Sequence, residues 1–158
     1  MKIELKGLKV HADMSEETTC YSANVYVDGV KAFHAENRGY GGPDMYSAYE
    51  GRRELLENAE EWAKTLPSVA CPDWLTNNGK PCDPMDCNLE LYIGQLIEKE
   101  ELRRRCLKGL LFRLPGDSEL DERYIKQGGK KAKDSKEIRA WLAKNHPQAI
   151  ILNDLVAA

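Results

Sequence analysis

Residues 20–36 read CYSANVYVDGVKAFHAE, and this stretch decides the fold. Tyr21, Ala23, Val25 and Val27 fall on every second position, the period of a strand with one buried face. Asp28-Gly29 follows. Both residue types tolerate the positive φ that a two-residue hairpin turn requires, and the pair is the strongest short-range hairpin signal. Residues 30–36 then form the returning strand. An unbroken register out from the turn sets Val27 against Val30, His34 against Ala23 and Cys20 against Asn37.

Upstream, Ile3 and Leu5, then Leu8 and Val10 after a break at Gly7, give another half-buried strand, and the polar residues 13–19 link it to the hairpin. Three consecutive strands predict an antiparallel meander. It closes on residues 37–43, Asn-Arg-Gly-Tyr-Gly-Gly-Pro. Next, Ser47-Ala-Tyr-Glu50 has the spacing of a capping box, with serine as N-cap and glutamate three residues on. It predicts a helix with Leu55, Ala59, Trp62, Ala63 and Leu66 inward, ended by Pro67.

Residues 68–88 are rich in proline and cysteine and predict a long irregular connection, a kind of segment that usually has a job. Leu89–Cys106 reads as a helix with Leu89, Ile93, Leu96 and Ile97 as its apolar stripe, and with Glu100–Arg104 and Glu101–Arg105 as i,i+4 pairs. Residues 110–114 and 123–126 read as paired strands around a Pro115-Gly116-Asp117 turn. Gly128-Gly129-Lys130-Lys131 is a basic turn, and with Lys133 it forms a small basic cluster. Asp134-Ser-Lys-Glu137 is a second capping-box pattern, opening a helix with Ile138, Trp141 and Leu142 inward. Pro147 stops it, and residues 149–152 give a last strand. Strands in runs with helices set apart predict an α+β fold rather than a doubly wound sheet. The expected layout is one compact unit of two halves. Residues 1–67 form a three-stranded meander plus helix, 68–88 a Cys/Pro-rich linker, and 89–158 two helices with a short sheet, packed on the first half.

A chain of 158 residues is long enough to bury a core without staples. The net charge of −3, with both signs interspersed, argues against a protein that coats nucleic acid, which needs a basic face. No apolar run approaches a membrane span. The first residues, MKIELK, lack the apolar core of a signal peptide, so a cytoplasmic protein is expected. Five cysteines, an odd number, then point to reduced thiols or a metal rather than a disulfide framework.

Several residue groups are candidates for chemistry. In the glycine loop, Asn37 tolerates a left-handed conformation, and amides freed by Gly39, Gly41 and Gly42 can cradle an anion ahead of a helix. The loop lacks the P-loop lysine, and Asp44 stands where a dinucleotide fingerprint needs its third glycine. It is either a structural bend or a contact surface with Arg38 and Tyr40 at its tip, flanked by Tyr46; arginine and tyrosine are enriched at interface hot spots. Cys71, Cys82 and Cys87 can tie down the linker through zinc, although only Cys82 and Cys87 approach knuckle spacing. They otherwise stay reduced thiols, some tucked against Trp74. His34 with Cys20 is the one plausible base–nucleophile pair, and nothing in the sequence orients the histidine. The adjacent pairs Glu16-Glu17, Glu60-Glu61 and Glu100-Glu101 read as solvated surface. Tyr40, Tyr46, Tyr49 and Trp74, in or beside loops, suit a protein interface better than base stacking, given how few cations lie nearby.

Ser15-Glu16-Glu17-Thr18, Tyr26-Val27-Asp28-Gly29 and Asn37-Arg38-Gly39-Tyr40-Gly41-Gly42 together resemble a pattern in small uncharacterised proteins of phages and other bacterial mobile elements. The closing Leu152-Asn153-Asp154-Leu155 is similar too. The likeness covers the first fifty residues well and the rest loosely, and residues 71–87 look like an addition to the pattern. It implies a context, the bacterial host cytoplasm, and no catalytic residue. The first expectation is therefore a non-enzymatic accessory protein that binds and modulates a host protein, in its sharpest form an anti-CRISPR-like inhibitor of antiviral defence. The alternatives are a nucleotide or nucleic-acid module built on the glycine loop, and a small metal-dependent enzyme using Cys82, Cys87 and His34.

Overall fold

The computed structural model of the chain describes residues 1–71, 76–77, 80–118 and 121–156. It is α+β and divides into two units, residues 1–97 and 98–158.

In the first unit, strands β1 (Ile3–Val10), β2 (Tyr21–Val27), β3 (Val30–Asn37) and β4 (Met45–Ala48) form one antiparallel sheet in that order. Asp28 and Gly29 both take positive φ, 47° and 83°, as the two-residue turn demands. The break expected at Gly7 is a bulge between Lys6 and Lys9, with Gly7 at φ +66°. It lets Ile3 and Leu8, of opposite parity, both reach the core.

The unbroken register expected for the hairpin is not what forms. Tyr26 faces Lys31, but Val25 faces Phe33, so Ala32 is an extra residue. His34 therefore pairs with Asn24 rather than Ala23, and Asn37 pairs with Tyr21 rather than lying opposite Cys20. The cause is burial. Without the bulge, His34 and Glu36 would take the interior face and Phe33 the solvent. With it, Phe33, Ala35 and Asn37 turn inward. The same slip carries Asn37 beneath the glycine loop.

Ser47–Glu50 is not a helix start either. Ser47 lies in β4, whose residues pair with β3 from Phe33↔Ala48 to Glu36↔Met45. A meander of three strands leaves the backbone of β3 unpaired along one edge; a fourth strand satisfies it. Edge-to-face packing of Tyr46 on Phe33, centroids 5.7 Å apart, reinforces the choice. Helix α1 (Arg53–Ala63) starts five residues after β4 and has no side-chain cap. Leu56, Ala59 and Ala63 are its buried residues, with Leu55 and Trp62 half-buried against the same core.

Two short pairings lie in the connection after α1. Val69 and Met85 exchange two backbone hydrogen bonds of 2.7 and 2.8 Å, and β5 (Thr76–Asn77) pairs with β6 (Lys80–Pro81). Trp74 lies outside the described residues. Helix α2 (Leu89–Cys106) has the predicted bounds, and Asn88 Oδ1 accepts the Leu91 N–H at its start. Leu89, Ile93 and Ile97 join the first core with Val25, Val27 and Phe33.

The second unit begins within α2. Glu100 holds Arg104 at 3.1 Å as expected, whereas Arg105 turns from Glu101 to Glu122 (2.8 Å) and Glu101 takes Arg104 at 3.0 Å. Strands β7 (Leu111–Arg113), β8 (Arg123–Tyr124), β9 (Lys126–Gln127) and β10 (Lys130–Lys131) follow, then α3 (Lys136–Asn145), β11 (Ile150–Ile151) and α4 (Leu152–Val156). The sheet order is β11-β7-β8, with β9–β10 a separate hairpin. The cap of α3 is Ser135, which accepts the Ile138 N–H, and not Asp134. Asp134 instead pairs with Arg139 at 2.6 Å. The last strand is shorter than expected because Leu152, fully buried against Cys106 and Leu111, starts a helix. Asn153 then ties three backbone groups: it accepts the Leu111 N–H and donates to the carbonyls of Cys106 and Gly109. No helix among the described residues is long and apolar enough to cross a membrane.

Candidate functional site

Two loops of the first unit, residues 11–20 and 37–44, interlock at one end of the sheet. The polar stretch 15–18 wraps Gly39. Three successive amides, of Glu16, Glu17 and Thr18, converge on the Gly39 carbonyl at 3.0, 3.0 and 3.3 Å. Ser15 pins the start of the wrap: its hydroxyl donates to the His11 carbonyl and accepts the Cys20 N–H, both at 2.9 Å. Gly39 is buried, at φ +89°. A Cβ there would collide with the Met14 carbonyl oxygen and stand 2.9 Å from Cys20 Cβ, so only glycine fits.

Asn37, 5% exposed, organises the other side. Its Oδ1 accepts from the Thr18 hydroxyl (2.8 Å) and the Gly39 N–H (2.9 Å). Its Nδ2 donates to the Gly42 carbonyl (2.9 Å) and to Asp44 Oδ1 (3.0 Å). All four hydrogen-bonding sites of the amide are used. The Thr18 hydroxyl also accepts the Gly41 N–H at 3.2 Å. Asp44 Oδ2 takes the phenol hydrogens of Tyr21 and, at 3.2 Å, Tyr46. Burial first, then the Asp44 carboxylate, push both phenols well above their ordinary range, so each is a fixed donor.

Glu90, on the first turn of α2, lies beside Asp44. Burial first, and then the neighbouring Asp44 charge, raise its carboxyl above the ordinary value, outweighing the opposing pull of the Asp44 backbone. A carboxylate raised on folding weakens the fold above its folded pKa and not below its unfolded one. Glu90→Gln keeps an acceptor and removes the charge. It should therefore raise the thermal midpoint at pH 7, by less than about 1 kcal/mol of stability. The gain should vanish as the pH falls below about 4. Melting curves at both pH values check this; a gain that persists in acid would mean that charge is not its cause.

The loop leaves two side chains outside this network. Tyr40 is 61% exposed and Arg38 is exposed. Among the described residues neither makes a hydrogen bond, ion pair or ring contact through its side chain. Gly41 and Gly42 are exposed beside them. Tyr46 is half-buried under the loop, where it braces rather than flanks the tip. Of the amides expected to cradle an anion, those of Gly39 and Gly41 are engaged within the chain, by Asn37 Oδ1 and the Thr18 hydroxyl, and Glu17 Oε2 lies where a Gly41 Cβ would stand. A second anion is repelled there.

The other candidates are placed apart. The Cys71 thiol donates to the Asp83 carbonyl at 3.1 Å, and desolvation followed by the adjacent Cys82 thiol raise it. Cys87 is buried, with its sulfur 3.7 Å from the Asn88 carbonyl. Among the described residues no three His, Cys, Asp or Glu side chains converge as a metal site. His34 lies 3.6 Å from Glu36, while Cys20 is packed under Gly39, so the geometry does not pair them. Sequence reasoning found the glycines and missed the residues that hold them: Thr18, Tyr21, Asp44 and Glu90. Tyr21 carried a signal, its inward position in the alternation; Glu90 carried none. Compared with family models, curated proteins and solved structures, the chain matches none.

Proposed function

We propose that this chain is a non-enzymatic accessory protein of a phage or mobile element that binds a bacterial host protein through the tip of the 37–43 loop. Inhibition of an antiviral defence component is the sharpest form of the reading. One observation carries it. The backbone of the loop is fixed by polar contacts from two sides, while Arg38 and Tyr40, which those contacts do not use, stand in solvent. A loop held in one shape before binding loses less conformational entropy on association. Arginine and tyrosine are also the side chains that most often anchor protein interfaces. A purely structural bend has no need of either at its apex. The Gly39 and Gly41 amides are committed internally and Glu17 is adjacent, which favours a protein partner over a phosphate at this loop.

The test is capture from a host lysate with Arg38→Ala/Tyr40→Ala beside wild type, after checking that both melt alike. Losing a central anchor costs about 2 kcal/mol or more, roughly 30-fold in affinity. The partner should drop out of the variant's capture. Equal recovery by both proteins would remove this loop from the interaction.

A further inference from the structure

The charge of the chain is unevenly divided. Residues 1–97 hold nine Lys and Arg against sixteen Asp and Glu, whereas residues 98–158 hold fourteen against ten. In the second unit the arginines are largely spent on ion pairs: Arg103 and Arg104 on Glu100, Arg105 on Glu122, Arg123 on Asp117, Arg139 on Asp134 and Asp154. The lysines of the β9–β10 hairpin are not. Among the described residues, Lys126, Lys130, Lys131 and Lys133 make no ion pair. The hairpin sets Lys126 directly opposite Lys131, around a Gly128-Gly129 turn with φ of 59° and 77°. Like charges facing each other across a ladder oppose its formation. A fold keeps such a pair at a cost unless an outside anion neutralises it.

Aromatic surface adjoins these cations. A shallow cleft of about 380 Å³ is lined by Phe112, Leu114, Glu122, Arg123, Tyr124, Lys126 and His146. Phe112 and His146 stack, 28° between planes, and Tyr124 is 41% exposed with the Lys131 ammonium 4.6 Å from its ring centre. Phe112 itself is buried, so Tyr124 is the exposed aromatic ring of this lining, and lysines beside an exposed ring are the parts of a single-strand binding surface.

We propose that the β9–β10 hairpin and the cleft beside it bind single-stranded nucleic acid, with phosphates on Lys126, Lys130, Lys131 and Lys133 and a base stacked on Tyr124. This surface lies in residues 98–158 and is independent of the 37–43 loop. The test is fluorescence anisotropy of the full chain with a labelled oligothymidylate across a salt series. Four phosphate contacts on a single strand predict a log–log slope near −2.8, so affinity should fall roughly 50-fold between about 50 and 200 mM salt. Lys130→Gln/Lys133→Gln, both exposed, should flatten the slope by about 1.4. Tyr124→Leu should weaken binding about tenfold with the slope unchanged, because stacking is not electrostatic. Circular dichroism melts confirm that each variant is folded. Absence of binding at low salt, an unchanged slope in the lysine variant, or an acidic polypeptide binding as tightly with Tyr124→Leu without effect would each overturn the assignment.

Discussion

Gly39→Ala should unfold at a much lower urea concentration than wild type, while Gly42→Ala unfolds alongside it. Three glycines lie within four residues, and the structure ranks them. At Gly39 a methyl group meets two backbone-anchored neighbours, the Met14 carbonyl oxygen in outright collision and Cys20 Cβ at 2.9 Å. Neither can swing away. The left-handed conformation adds about 1–2 kcal/mol for an L residue. Displacing Met14 also pulls on the amides of Glu16, Glu17 and Thr18, whose hydrogen bonds to the Gly39 carbonyl are each worth about 0.5–1.5 kcal/mol. The total is about 3 kcal/mol or more. At Gly41, φ is also positive, but the obstructing atom is Oε2 of Glu17, the end of a mobile side chain. Strain of about 1 kcal/mol is expected there. At Gly42 nothing stands within 4 Å of a Cβ and φ is ordinary, so the change is close to neutral. A Gly39 variant within about 0.5 kcal/mol of the Gly42 variant, the scatter of plain surface changes, would show that the two loops do not interlock.

Where the sequence was read correctly, the determinant was local. Asp28-Gly29 makes its turn because both residues accept positive φ, whatever lies elsewhere. The parity change from Leu5 to Leu8 announces the bulge at Gly7. Leu89–Cys106 starts at a local cap, with Asn88 Oδ1 accepting the Leu91 N–H. The errors came where distant partners decide. Ser47-Ala-Tyr-Glu50 satisfies the capping pattern, yet the unpaired edge of β3 and the ring of Phe33 draw it into a strand. The extra residue at Ala32 is visible only on asking which face Phe33 and His34 should take. The site divides the same way. Gly39 and Arg38 stand out in any reading, but Thr18, Tyr21 and Glu90 come to the loop from about 20 residues before it and nearly 50 after it. Residues 15–18 wrap Gly39, Asn37 spans the loop, and Asn153 closes the second unit. What they share is a demand for buried polar satisfaction, which single-residue propensities do not register.

That demand yields a sharper test at Asn37, where one atom can be changed without changing shape. Asn37→Asp replaces the Nδ2 donor by an acceptor. The new oxygen faces Asp44 Oδ1, 3.0 Å from the position it takes, and the Gly42 carbonyl at 2.9 Å. Two donated bonds disappear and two carboxylates share a site that is 5% exposed at residue 37. The expected loss at pH 7 is about 3 kcal/mol, the scale for breaking a buried polar pair by changing one partner. The two carboxyls titrate as a pair, with one proton held well above the ordinary range. Their penalty is therefore full above that raised value. It shrinks as the pH falls and is gone below about 4, where the unfolded chain is protonated too. The difference from wild type, measured at each pH, should narrow on acidification. Adding Asp44→Asn supplies the donor from the opposite side: the new amide at position 44 gives its hydrogen to the carboxylate at position 37, and its oxygen still accepts from Tyr21 and Tyr46. Only the bond to Gly42 stays broken. The double variant should then be more stable at pH 7 than Asn37→Asp alone, a coupling of the sign and about the size (1–3 kcal/mol) expected of contacting residues. Additive losses would mean that Asn37 and Asp44 do not act on each other, and a loop not held by that contact would have no reason to present Arg38 and Tyr40 in one fixed arrangement.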